Sequence, residues 1–146
     1  MQLRLIALAA AALLVPACGG GKPPAIEDLG GREKLSLYTL SVLRGARDGD
    51  RLTAQAMFSD SSSMLTLDMR FKIGAPTALE SGEWKWARNN TTSGGAVRAR
   101  SVTFLGGQSG PPSIGGVFEL LGAGGAALYR VNIPVTEIRT RLPNRG

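Results

Sequence analysis

Hydrophobic and polar residues alternate most cleanly between positions 64 and 73. Leu65, Leu67, Met69, Phe71 and Ile73 interleave with Thr66, Asp68, Arg70 and Lys72. A period of two places all five apolar side chains on one face of a strand and leaves the other face wet. Residues 51–58 repeat the pattern, with Leu52, Ala54, Ala56 and Phe58 together. Residues 35–44 follow it more loosely, with Tyr38, Leu40 and Val42 on one face. Asp48-Gly49-Asp50 between the last two segments predicts a hairpin, because Asp-Gly suits the positive φ angles of tight turns.

Further strands are expected at residues 79–88, 96–105, 114–121, 126–133 and 135–142. Their separators, 89–95, 106–113 and 122–125, are rich in turn formers. Tyr129, Val131 and Ile133 share a face, whereas beyond Pro134 the buried set becomes Thr136, Ile138 and Leu142. Proline lacks the N–H that a ladder needs, so Pro134 predicts a bulge or a strand passing from one sheet to another. About eight short strands with no helical pattern predict an all-β domain, a single antiparallel β-sandwich, with a small β-barrel as the alternative.

The N-terminal segment departs from this rhythm. Arg4 precedes an unbroken apolar stretch from Leu5 to Leu14, followed by Val15-Pro16-Ala17-Cys18-Gly19-Gly20-Gly21. Charge, short apolar run and small residues at a cut form a secretory signal, and the run is too short for the ~20 residues of a membrane-spanning helix. With Cys18, the sole cysteine, directly after the cut, the segment resembles the lipobox of bacterial lipoproteins. The resemblance implies cleavage after residue 17, a lipidated Cys18 as mature N-terminus carrying a thioether-linked diacylglycerol and usually an N-acyl chain, and anchoring in the membrane. Gly19 in second place, where many inner-membrane lipoproteins carry aspartate, implies the outer membrane facing the periplasm in a two-membrane bacterium. The other reading of Cys18 is a free or buried thiol after an ordinary signal peptide. Residues 18–34 then form a flexible tether, since Gly19 to Gly21 and Pro23-Pro24 favour neither helix nor strand and Gly30-Gly31 continue the pattern. Residues 35–146 make the β domain. Removing residues 1–17 leaves 129 of 146 residues, enough for one core.

Composition narrows the chemistry. With no histidine in the chain, Ser-His-Asp and Cys-His catalysis and His-based metal sites are excluded. A lipidated Cys18 removes thiolate ligands as well. The expectation is a non-enzymatic binding or structural subunit of the cell envelope, with no cofactor and no metal. Loss of Arg4 with the signal takes 17 basic residues to 16 against 11 acidic ones, a net charge of +5. Arg98 and Arg100 share a strand face and Arg139, Arg141 and Arg145 cluster near the end. Such charges suit an anionic envelope polymer or an envelope protein, and an exported location argues against nucleic acid.

Three further features carry candidate chemistry. Trp84 and Trp86 stand two apart on one strand, so their indoles point the same way; they either fill the core or present a platform for glycan or lipid. Asp68 with Glu80 or Glu83 offers a carboxylate pair of the kind glycoside hydrolysis requires, although surface charge pairing explains the same residues. Asp48, Asp50 and Asp60 are loop carboxylates that invite calcium, without the spacing of a helix-loop-helix calcium loop. Gly122-Ala123-Gly124-Gly125 resembles part of a dinucleotide fingerprint but leads into a strand, so a hairpin turn is expected.

Overall fold

In the computed structural model, residues 25–35, 38–106 and 111–140 are described. They form nine strands: β1 (Ile26–Asp28), β2 (Thr39–Asp48), β3 (Arg51–Ser59), β4 (Met64–Lys72), β5 (Ala78–Arg88), β6 (Thr91–Leu105), β7 (Ser113–Leu121), β8 (Ala127–Glu137) and β9 (Arg139–Thr140). The strands form one curled sheet in the order β1-β8-β7-β6-β5-β4-β3-β2-β9. Every pair is antiparallel except β2 with β9. The expected all-β, antiparallel architecture is present as a half-barrel. β5 and β6 pair only from Glu83 opposite Ala96 down to their turn. Above that point they part, leaving two halves of the sheet facing each other across the core.

The period-two pattern sets the faces. In β3 and β4 the residues Leu52, Ala54, Ala56, Phe58, Leu65, Leu67, Met69 and Phe71 are buried, and the intervening polar side chains point outward. Phe71 of β4 meets Phe118 of β7 edge-on, with ring centroids 6.1 Å apart, which ties the two halves together. Pro134 behaves as its chemistry requires. It is exposed at a register shift between β7 and β8. β8 continues past Pro134 to Glu137, still paired with β7, so the two strands expected on either side of the proline are one and Thr136 is only half-buried. The chain then buries Ile138 and pairs with β2 as β9. Because β9 continues β8, this pairing draws the two edges of the sheet together. Leu142 lies outside the described residues.

Three expectations need correction. Residues 25–34, read as the end of the tether, contain β1: Ile26 pairs with Val131 and is fully buried, and Asp28 is buried opposite Tyr129. A three-residue strand is too short for a legible alternation, and its partner lies a hundred residues away. In β2 a register shift between Leu40 and Val42 changes the face. Leu43 is buried while Leu40 and Val42 are only half-buried. Residues 91–95, read as loop, belong to β6, and the turn is confined to Asn89 and Asn90 with φ of 51° and 60°. Gly94 and Gly95 are there because neighbouring backbone comes too close for a side chain. A β-carbon on Gly95 would lie 2.2 Å from the carbonyl oxygen of Leu121.

Candidate functional site

Trp84 and Trp86 occupy successive inward positions of β5 and are 2% and 0% exposed. The Nε1–H of Trp84 donates to the Leu121 carbonyl at 2.9 Å, and that of Trp86 to the Tyr38 hydroxyl at 3.2 Å. Tyr129 stands edge-on to both indoles, and Tyr38 edge-on to Trp86. Arg88 closes the cluster from outside: its guanidinium lies 4.2 Å from the Trp86 ring, pairs with Glu33 at 3.1 Å and donates to the Tyr129 hydroxyl. The two tryptophans are therefore core, and the exposed glycan or lipid platform is overturned. The largest rings of a chain poor in aromatics fill its interior, and residues far away in sequence satisfy their N–H groups.

Arg98 and Arg100 lie together on the outer face of β6, where a bulge between Ala99 and Ser101 re-aims Arg100. Both converge on Glu119 of β7, at 2.7 Å and 3.9 Å. Glu119 in turn opposes Arg130 of β8, which pairs with Glu27 of β1 at 3.7 Å. The row Glu27–Arg130–Glu119–Arg98 thus crosses four strands. Hydrogen bonding by Arg98 holds the Glu119 carboxyl below the usual carboxylate range, outweighing the opposite effect of its burial, with Arg98, Arg100 and Arg130 adding charge attraction. Glu119 was not singled out from the sequence. Its signal was a lone acid in the apolar run Val117-Phe118-Glu119-Leu120-Leu121, following a strand with two arginines. Three arginines against two glutamates leave this row with surplus positive charge, and the Arg98 and Arg100 side chains remain over half exposed.

A second row runs over the outer face of β2 to β5. Arg44, Gln55, Asp68 and Glu83 are successive register partners. Nε of Arg44 donates to Gln55 Oε1 at 3.0 Å, and Nε2 of Gln55 donates to Asp68 at 2.8 Å. The structure thus brings Asp68 and Glu83 side by side. Glu80 is held elsewhere, 3.5 Å from Arg51. This row lines a shallow groove of about 1120 Å³. Small residues (Ala46, Ser81, Gly94, Ala96) give it a low floor, and Arg70 and Lys85 add cations to its rim. Trp84, the aromatic residue lining it, has a buried ring. The surface offers charges of both signs at strand spacing, which suits a polar, extended partner.

The remaining candidates separate. Asp48 and Asp50 flank the β2–β3 turn. Asp60 lies at the opposite end, where its carboxylate accepts from the N–H groups of Ser62 and Ser63 and is held below its ordinary pKa by those bonds and the Ser63 hydroxyl. Among the described residues no three His, Cys, Asp or Glu side chains come together. Residues 122–125 form the β7–β8 turn, with Gly122 N–H bonded to the Ala126 carbonyl. Cys18 lies outside the described residues. Compared with known proteins, the chain matches no family model, no curated sequence and no solved structure.

Proposed function

We propose that this chain is a lipid-anchored protein of the cell envelope whose half-barrel serves as a non-enzymatic binding or structural subunit, exported and held to the membrane through Cys18. The observation that carries the binding reading is the division of its chemistry. The interior is filled by Trp86, Phe58, Phe71 and Phe118, all under 2% exposed, while two cross-strand rows of charged side chains occupy the outer face. Recognition then belongs to the outside of the sheet. The groove along Arg44, Asp68 and Glu83 is the partner surface, either for an envelope protein or for an anionic polymer that also reaches Arg98 and Arg100.

Asp68 and Glu83 act here as recognition groups. Glycoside hydrolysis needs two carboxyls facing one another across a sugar-holding cleft, whereas both of these stand exposed side by side on one strand face, and Asp68 is already engaged by Gln55. The test is capture from detergent-solubilised envelopes by the wild-type chain and by Arg70→Glu with Lys85→Glu. One dominant species, protein or polymer, should be retained by the wild type and lost from a double variant of unchanged melting temperature. Equal retention by both removes the groove from the function. The anchor is tested separately: Cys18→Ser should move the protein from the membrane to the soluble fraction.

A further inference from the structure

One end of the half-barrel gathers the β2–β3 turn, the β4–β5 connection and the junction of β8 with β9, because β2, β4, β6 and β8 all run toward it. On the outer face at this end, Leu105 of β6 is 58% exposed and Val135 of β8 is 45% exposed. Leu105 opposes Ser113 of β7. Gly115, two residues further along β7, opposes Thr103 and is buried beside Val135, whose nitrogen a β-carbon there would meet at 2.6 Å. The two apolar side chains therefore stand on a diagonal across β7, with half-buried Val117 beyond Gly115 on the same face. The third large exposed hydrophobic among the described residues, Met64, sits at the far end.

The chain's own termini point the same way. β1 is antiparallel to β8, and Ala25 accepts from the Asn132 N–H at 2.8 Å. The chain therefore enters β1 at Ala25 from the side of the end that holds Leu105 and Val135. Seven residue steps (25 minus 18) lead from Cys18 to Ala25, a reach of at most ~25 Å. Asn132 lies five residues (137 minus 132) below the top of β8 at Glu137, or ~17 Å at strand rise. β9 runs parallel to β2 and so heads to this same end. The six residues after it carry Arg141 and Arg145 and no acid.

We infer that this end of the half-barrel rests on the membrane, with Leu105 and Val135 seated in the lipid interface. The inference rests on the anchor at Cys18 and adds the surface that the anchor presses against the bilayer. Apolar contact carries it rather than charge. At this end the four cations Arg47, Arg51, Lys72 and Arg139 are equalled in number by Asp48, Asp50, Glu80 and Glu137, so the described residues offer anionic lipid no net charge. The seating leaves the outer groove of β2 to β5 facing sideways, open to a partner in the envelope.

The test uses the full lipidated chain in zwitterionic vesicles, with and without added anionic lipid. Leu105→Cys and Ser62→Cys, each labelled with a polarity-sensitive fluorophore, report the two ends. The label at 105 should be blue-shifted and quenched by nitroxide-bearing lipid, the label at 62 should be neither, and anionic lipid should deepen quenching only slightly. In a second arm, Leu105→Asp with Val135→Asp should speed transfer of the protein between vesicles by roughly tenfold while tryptophan emission stays that of the folded chain. Protein that floats with the vesicles but shows equal quenching at both ends overturns the seating and leaves the anchor standing. Protein that does not float overturns both.

Discussion

Gly95 sits where β6 passes close to the end of β7. A β-carbon there would lie 2.2 Å from the Leu121 carbonyl oxygen and 3.0 Å from Nε1 of Trp84. Those two atoms are the partners of one hydrogen bond, at 2.9 Å, so the missing methyl group keeps the indole bonded to the facing strand. Gly95→Ala must shift backbone, not the tip of a flexible side chain. It is expected to destabilise the fold by roughly 1–3 kcal/mol, the usual range for overpacking, and to move tryptophan emission to longer wavelength as Trp84 loses its partner. Equilibrium denaturation followed by fluorescence checks both. Removing the neighbouring indole, Trp86→Ala, leaves a large void among Tyr38, Tyr129 and Arg88 and is expected to cost roughly 3–5 kcal/mol. An unchanged denaturation midpoint for either variant would contradict the packing described.

Among the elements, β1 and the segment after it depend on one carboxylate. Asp28 is buried and accepts from the backbone N–H groups of Gly30 at 2.9 Å, Arg32 at 3.2 Å and Glu33 at 3.1 Å. Burial pushes its pKa up, but these bonds and the Arg32 guanidinium together hold it below the usual range. The fan of bonds turns the chain across the end of the half-barrel. It carries Leu35 and Tyr38 into the core and places Glu33 against Arg88. Asp28→Asn offers one acceptor oxygen where two are used. It is expected to lower stability, to speed amide exchange at Gly30, Arg32 and Glu33, and to loosen Tyr38 over Trp86. Exchange measurements that leave those amides as protected as before would refute this role. The same segment marks the limit of what the sequence discloses. Strands β3 and β4 are legible because each of their inward residues repeats at period two, and the bulge at Pro134 is legible because proline chemistry is local. β1 is not, because three residues carry no period and their pairing with β8 is decided in space. The direction in which Trp84 and Trp86 point follows from spacing alone. Their burial does not, since it depends on Tyr38, Arg88 and Glu33 arriving from elsewhere in the chain. Arg98 and Arg100 were visible as a pair, whereas Glu119, which organises them, was hidden inside an apolar run.

For the whole molecule, the arrangement of charge predicts how stability varies with pH. The chain has no histidine, so no imidazole titrates between neutrality and pH 5, and stability should change little over that interval. Glu119, Asp28 and Asp60 have folded pKa values below their ordinary ones. A lowered carboxylate binds protons less readily in the folded state than in the unfolded one. Its contribution is therefore complete above the unfolded value, near pH 4, and is lost as pH falls through the lower folded value. Denaturation midpoints should accordingly form a plateau from pH 7 to about pH 5 and drop steeply below about pH 4. Glu119→Gln sharpens the test. It strips the central anion from Arg98, Arg100 and Arg130, so the variant should be less stable than wild type at pH 7. The gap should narrow as pH falls below the unfolded carboxylate value and through the lower folded one, where wild-type Glu119 is itself neutralised. A gap that stays constant with pH would show that Glu119 contributes through shape alone and that the row of charges across β1, β8, β7 and β6 is not an electrostatic unit.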